Sequence, residues 1–462
     1  MKSSVYDTIC AISTPAGEGG IAVIRVSGYK AFETVEKIFF KDSQREIPVN
    51  ISEFNSHSIH YGFIFNEEEQ LDEVLISIFK NPNSFTGEDI IEISCHGGYF
   101  IANKIISLLN KLGIRPAEPG EFSKRAFLNG RIDLSQTEAI ADLIRSKTDL
   151  AHHSSLKQLE GSLSEYVQKV RQDILNITSL VELELDFAEE DVEFVSKKEV
   201  KEKIGNVISE LKNIADSYIT GKVIKEGVNL VIAGKPNSGK SSLFNHLLKT
   251  NRAIVSEIAG TTRDYLEENL IINGILFKLV DTAGLRISGD VIETEGIKRS
   301  FEKIKDADLV LFLIDSSSGE NEIEDTLKFY NANLKSDKSI LVFTKSDIIP
   351  KSFLRKREFQ YISVFDNISI DILKNEMIDK LHLNNLSVSS NNLIITNLRH
   401  KLCLENTIMS LGNAINSIDS NMSGEYISLD LRNALHHLGE ITGEFTNDEV
   451  LQNIFQHFCI GK

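Results

Sequence analysis

The chain has 462 residues, 41% hydrophobic and 25% charged, the balance of a soluble globular protein too long for one core, so two or three domains are expected. Its 67 acids against 50 bases leave a net charge of −17. Broad nucleic-acid surfaces are basic, so any RNA contact must come from a local patch or a partner. No run of about 18 apolar residues suggests a membrane span, and the first twenty residues lack a secretory leader's apolar stretch. The four cysteines, Cys10, Cys95, Cys403 and Cys459, are scattered without a CxxC pair, which fits a reducing cytoplasm and no disulfide framework.

Residues 1–118 read as a small α+β domain. "TICAISTPAGEGGIAVIRVSG", "EVLISIFK" and "DIIEISCHGG" are short β-rich runs bounded by Gly, Pro and Asn. "YFIANKIISLLNKLG" reads as a helix ending at Gly113. Cys95 and His96 are adjacent, but no third ligand accompanies them, so they read as strand-end structure.

Five of the seven prolines lie at or before Pro119, with none between Pro119 and Pro236 and none after Pro350. Proline-free stretches with apolar residues three and four apart predict helix. In residues 133–187, Ile140, Leu143 and Ile144, then Leu156, Leu159, Leu163 and Val167, keep that spacing, which predicts a long helical hairpin with a leucine-lined core. The pattern returns in "HKLCLENTIMSLGNAINSIDS", "SLDLRNALHHLGEITG" and "DEVLQNIFQHF". Neither block buries its apolar face alone. Residues 119–218 and 379–462 are therefore expected to pack as one discontinuous helical domain, with residues 219–378 inserted between them. Arg399-His400-Lys401 is a small basic cluster that reads as a solvated helix start, the alternative being an RNA- or partner-facing patch.

The insertion carries the strongest signal. In "NLVIAGKPNSGKSSLFNHLL" a β-rich run ends at Gly234, the motif Gly-x-x-x-x-Gly-Lys-Ser follows, and a helix opens. This is a complete phosphate-binding context. Backbone amides along Asn237, Ser238 and Gly239, together with the helix start at Lys240, Ser241 and Ser242, would cradle phosphates. Lys240 would reach the β- and γ-phosphates, and the Ser241 hydroxyl would hold Mg2+. Thr262 in "AGTTRD" is the candidate switch Mg2+ ligand. Asp281-Thr282-Ala283-Gly284 follows a strand, and the Gly284 amide would face the γ-phosphate. "SILVFTKSD" ends in Thr344-Lys345-Ser346-Asp347, where Asp347 would accept hydrogen bonds that guanine gives and adenine does not. These motifs stand in the order of a Ras-like P-loop GTPase. Two departures matter. Thr344 replaces the usual Asn, and a hydroxyl supplies only part of an amide's bonding. Leu285 stands where Ras orients water with a Gln, leaving Asp290, Glu293 and Glu295 as substitutes. The base-backing loop falls near Ser363.

With those residues in view, the chain resembles the MnmE (TrmE) family of tRNA-modification GTPases along its whole length. "NSFTGEDIIEISCHGG", "PGEFSKRAFLNGRIDLSQTEAIADLI", "GKPNSGKSSLFN", "IAGTTRD", "DTAGLR" and the terminal "CIGK" carry the likeness. The resemblance implies a folate-binding, dimerising N-terminal domain, a discontinuous helical domain and an inserted G domain. It implies a homodimer that joins an MnmG-type flavoprotein in a heterotetramer. The partner would carry FAD and much of the tRNA surface. The pair would add an aminomethyl or carboxymethylaminomethyl group at carbon 5 of a wobble uridine, using a 5-formyl- or methylene-tetrahydrofolate. It implies a potassium-activated GTPase with Asn237, Ser256, Ile258 and Thr261 around K+ and Glu293 orienting the attacking water. Arg25, Glu92, Arg131 and Lys462 match folate contacts, and Cys459 matches a residue near the modification site. The alternative is a regulatory or ribosome-assembly GTPase acting as a conformational switch. The folate motifs and terminal thiol favour the first reading. Apolar residues continuing to Phe458 predict a docked tail that holds Cys459 and Lys462 against the protein.

Overall fold

The computed structural model describes residues 7–15, 17–47, 49–186, 197–251, 268–279, 304–349, 359–381, 383 and 393–462. The chain divides into two compact units, one of Met1–Ile144, Leu156–Ile208 and Asn406–Lys462, the other of Arg145–Ser155 and Ser209–Glu405. The expected insertion, 219–378, falls inside the second unit.

The first unit opens with a sheet of β1 (Ile9–Ile12), β2 (Ile21–Ser27), β3 (Phe39–Phe40), β4 (Ser58–Asn66), β5 (Glu69–Phe79), β6 (Ile90–His96) and β7 (Arg115–Pro116). Their order is β3-β4-β5-β6-β2-β1-β7. Alternate residues face opposite sides of a strand. Ile24, Val26, Ile76, Ile78, Ile91 and Ile93 are buried on the side covered by α1 (Ala31–Glu36) and α2 (Tyr99–Lys111). On the other side Arg25 is the cross-strand partner of Glu92.

Four helices follow: α3 (Glu121–Leu128), α4 (Leu134–Arg145), α5 (Asp149–Leu159) and α6 (Ser162–Asp186). The expected hairpin is thus three helices over 134–186. Asp133 and Gln136 cap α4 reciprocally, Gln136 N donating to Asp133 Oδ1 (2.9 Å) and Asp133 N to Gln136 Oε1 (3.0 Å). The Thr148 hydroxyl accepts from Ala151 N at 3.2 Å and starts α5. Gly161 separates the last two: its amide donates to Gln158 O (3.1 Å), and its carbonyl accepts from Glu165 N (2.9 Å). Apolar spacing ran through these breaks because the polar caps that make them occupy positions off the apolar stripe.

Helix α7 (Lys197–Asp216) begins in the first unit and ends in the second. In the second unit, after α8 (Tyr218–Glu226), come β8 (Val228–Gly234), α9 (Lys240–Asn251), β9 (Glu268–Ile272), β10 (Ile275–Leu279), β11 (Leu309–Asp315), α10 (Glu320–Asn333), β12 (Ser339–Thr344), β13 (Gln360–Tyr361) and α11 (Asn367–Lys380). The sheet runs β13-β12-β11-β8-β10-β9, parallel except where β9 meets β10. Leu309, Leu311 and Leu313 are buried in one core, and Val310, Phe312 and Ile314 in another. A sheet covered on both faces needs such continuous apolar strands. This is the Ras-like doubly wound arrangement, with β8, β11 and β12 ending along one carboxyl edge.

The returning block contains α12 (Leu398–Asp419), α13 (Gly424–Thr442) and α14 (Asp448–Phe455). Buried Leu163, Val167, Val170 and Ile174 of α6, and Leu431, Ala434 and Leu438 of α13, line the seam along which α6 and α13 pack. Arg432 and Glu182 pair across it at 2.7 Å. The expected solvated start of α12 fails at His400, which is fully buried with Nε2 at 3.0 Å from Arg399 Nη2, while Arg399 and Lys401 are half-buried.

Candidate functional site

The first candidate site is the loop from β8 to α9. Asn237 takes a left-handed φ of +64° there, a conformation asparagine tolerates better than most residues. Lys240 Nζ donates to the carbonyls of Gly234 (2.8 Å) and Lys235 (2.7 Å), and burial lowers its pKa. The buried Ser238 hydroxyl has no hydrogen-bond partner among the described residues. Such a group costs about 1–3 kcal/mol, a cost that a phosphate oxygen in the loop would remove. Gly239 precedes α9, and Ser241 and Ser242 lie exposed in its first turn, where helix amides and dipole favour an anion. The donor set fits a nucleotide phosphate chain.

At the end of β12 the Thr344 side chain is buried. Its hydroxyl lies 2.8 Å from Ser238 O and 3.2 Å from Ile314 O. It therefore ties the phosphate loop to β11, a bond available to a side chain one atom shorter than Asn. Lys345 pairs with Asp315. Burial alone would raise the Asp315 carboxyl, but bonds from Lys345 and Ser317 outweigh it and hold the group below the usual range. Asp347 is exposed. Ser363 N donates to Ser369 Oγ at 3.2 Å. Ser256, Ile258, Thr261, Thr262, Asp281, Thr282, Ala283, Gly284, Leu285, Asp290, Glu293 and Glu295 lie outside the described residues.

The second candidate site is a cavity of about 800 Å³ in the first unit, whose wall includes Arg25, Arg131 and Lys462, a size within the usual range for small-molecule sites. Its apolar wall comes from Phe79, Phe85, Ile132, Ile140, Leu143, Ile144 and Leu159, and His57, Asn83 and Ser84 complete it. Ile140, Leu143 and Ile144, expected in a helical core, thus face the cavity, and Ile144 is 48% exposed.

Arg25 is held in place by Glu92, whose Oε1 accepts from Nε at 2.9 Å and lies 2.8 Å from Nη2. Its guanidinium sits 5.0 Å from the Phe85 ring centroid and 5.5 Å from that of Phe122. Glu92 is not on the wall and acts on the cavity through Arg25. With Arg25 so countered, Arg131 and Lys462 remain as wall cations, and among the described residues no Asp or Glu side chain lines the wall. Cations beside an apolar wall have the chemistry to suit an anion that carries a flat apolar group.

Lys462 reaches the wall because the C-terminus is docked. Phe458 is buried beside Phe455, Leu134 and Leu451. Gly120 N donates to Cys459 O (3.4 Å), and Ser13 Oγ donates to Gly461 O (3.2 Å). Gly461 has φ +94°, and a Cβ there would meet Ile12 O at 2.4 Å, so only glycine makes this approach without displacing β1. The expectation for Cys459 is corrected: it is exposed and off the cavity wall. His57, Phe79 and Phe85 were not anticipated, and only Phe85, inside "NSFTGED", lay in a motif that could have flagged it.

Among the described residues no three His, Cys, Asp or Glu side chains gather where they could hold a metal, and no helix is long and apolar enough to cross a membrane. His96 instead bonds Asp72 at 2.7 Å.

A phosphate loop at the carboxyl edge of a Ras-like sheet, with a Thr-Lys-Ser-Asp motif at the end of β12, defines a GTP-binding protein. Residues 8–131 match the description "GTP-binding protein TrmE N-terminus" and residues 134–459 match "MnmE helical domain". The chain is 43% identical to the "tRNA modification GTPase MnmE" of Flavobacterium johnsoniae, over 99% of both chains. It is 43% identical to that of Cytophaga hutchinsonii, over 99% of this chain and 98% of the relative. For that of Clostridioides difficile the figures are 41%, 99% and 100%. The chain belongs to the MnmE family of tRNA modification GTPases.

Proposed function

We propose that this GTPase modifies carbon 5 of the wobble uridine of certain tRNAs, taking a one-carbon unit from a tetrahydrofolate bound in the Arg25–Arg131–Lys462 cavity. The observation that carries this reading is the convergence of three cations, from β2, from the turn after α3 and from the last residue, on one partly apolar cavity. A folate has a flat ring and a carboxylate-bearing tail. The apolar wall suits the first, and Arg131 and Lys462 suit the second through charge-assisted bonds. Glu92 keeps Arg25 aimed at the ring edge. Exposed Cys459, near the docked terminus, is the proposed nucleophile toward the base.

In the G domain Lys240 binds the β- and γ-phosphates, Ser241 and Thr262 hold Mg2+, and Asp347 selects guanine. Asn237, Ser256, Ile258 and Thr261 hold K+, and Glu293 orients water. When bound, the two cations neutralise charge on the phosphates, and the folate supplies the one-carbon unit. Domain bounds of 1–118, 119–218, 219–378 and 379–462 go with this reading. So do a homodimer, a cytoplasmic location and an MnmG-type flavoprotein that contributes FAD and a cationic tRNA surface. A partner surface of that kind resolves how a chain of net charge −17 works on RNA.

Nucleoside analysis of tRNA from a strain lacking the gene tests the function. Wobble uridines without the C5 substituent are expected, and a wild-type nucleoside profile overturns the reading. For the hydrolytic step, Glu293→Ala should abolish potassium-stimulated turnover. Wild-type turnover by that variant removes Glu293 from its role.

A further inference from the structure

Residues 80–89 supply Asn83, Ser84 and Phe85 to the cavity wall but contain no helix or strand. A segment without a backbone ladder must draw its order from other bonds, or pay the full entropy of ordering on binding.

Those bonds come from beneath and from one side. Thr86 and Ser27 are fully buried, with their hydroxyls 2.8 Å apart. Ser27 Oγ donates to Glu88 Oε2 at 2.6 Å, and Glu88 Oε1 accepts from Arg125 Nη1 at 3.1 Å. Arg125 is itself buried on α3 and bonds Asp7 and Glu121. From the side, Asn129 Nδ2 donates to Thr86 O at 2.7 Å. Gly87 lies under this side chain at φ +76°, and a Cβ there would come within 3.2 Å of Asn129 Cβ.

Asn129 also belongs to the turn that carries Arg131. The turn after α3 is closed by Asn129 N to Arg125 O (2.9 Å), Gly130 N to Phe127 O (3.0 Å) and Arg131 N to Ala126 O (2.9 Å). This turn presents Arg131 and Ile132 to the cavity. One amide side chain thus bonds the Phe85 segment while standing two residues from Arg131.

We propose that Asn129 is a positioning residue of the cavity: its bond to Thr86 O fixes the Phe85 wall against the Arg131 wall, so that the cation and the ring surface are set before a ligand arrives. It touches no ligand itself. The proposal rests on the folate reading of the cavity.

The test is calorimetric titration of the full-length protein with 5-formyl-tetrahydrofolate, for wild type, Asn129→Ala and Asn129→Asp, with amide hydrogen exchange on the ligand-free proteins. Asn129 is exposed, so neither variant threatens folding. GTP hydrolysis should match wild type in both. Asn129→Ala should weaken binding about fivefold to tenfold, the scale of one lost hydrogen bond, and speed exchange in residues 80–89. Asn129→Asp, which sets a carboxylate against the Thr86 carbonyl, should weaken it more. Wild-type affinity in Asn129→Ala overturns the proposal and leaves the folate reading standing. Weakened binding with unchanged exchange in residues 80–89 also overturns it. A wild type that binds no folate overturns both.

Discussion

The two candidate sites are built in opposite ways. The phosphate loop is one stretch of chain, from Gly234 to Ser242, between a strand and a helix, and backbone groups do most of its work. The cavity of the first unit takes residues from β2, from the segment before β4, from the end of β5 and the segment after it, from the turn after α3, from α4 and α5, and from Lys462. Side chains do its work, and its geometry depends on packing elsewhere. A contiguous backbone site is robust to distant change but sensitive to its own residues. A convergent side-chain site is sensitive to every clamp that holds its walls.

Perturbations can sharpen or break this contrast. The largest effect is expected in the loop: Lys240→Ala should lower GTP hydrolysis by at least about 100-fold, the loss seen when one preorganised donor is removed, without altering folate affinity in a calorimetric titration. A parallel fall in folate affinity would break the contrast.

Next is Arg125→Met. It removes a cation, only 5% exposed, that Asp7, Glu88 and Glu121 share, leaving Asp7 and Glu121 with Arg115 and Glu88 with no cation among its described bonds. Removing one partner of a buried charged cluster costs about 3–5 kcal/mol. Hydrogen exchange should show that loss in the first unit and leave the amides of β8, β11 and β12 unchanged.

Lys462→Ala removes one charge-assisted bond and should weaken 5-formyl-tetrahydrofolate roughly 10-fold to 100-fold, with hydrolysis of GTP at the wild-type rate. Thr344→Val keeps the shape but deletes the hydroxyl that holds Ser238 O. It should weaken GDP by about fivefold to tenfold, measured by fluorescence of a labelled nucleotide. The preference for GTP over ITP should stay unchanged, because the proposed function gives base selection to Asp347, and Thr344 is buried against Ser238 O and Ile314 O. A changed preference would return Thr344 to the base site.

The smallest effect is on acid stability. Burial would raise Asp7 and Glu121, but their bonds to Arg115 and Arg125 outweigh it and leave both carboxyls below their ordinary values. A depressed carboxyl stabilises the fold above its unfolded pKa and loses that contribution as pH falls through its folded pKa. Circular dichroism during acid titration should therefore show a transition below the usual carboxylate range, and Glu121→Gln should flatten it.

The same contrast explains what was legible in the sequence. The P-loop, the Ras-like strand order and the insertion between two helical blocks follow from local spacing and were readable. Arg25, Arg131 and Lys462 were readable only through family likeness, since no spacing links residue 25 to residue 462. Ile140, Leu143 and Ile144 misled because an apolar stripe has the same period whether it meets a core or a ligand cavity. His400 misled because three consecutive basic residues look solvated, whereas one of them is buried at the start of α12. Cys459 was expected against the protein, but the docked tail buries Phe458 and Gly461 and leaves Cys459 and Ile460 between them outward.

The most direct test of the account is titration of the intact protein with 5-formyl-tetrahydrofolate, wild type beside an Arg131→Ala/Lys462→Ala double variant, with GTP hydrolysis measured on both. The account predicts saturable binding by wild type, binding abolished in the double variant, and equal hydrolysis. Undiminished binding by the double variant would contradict it.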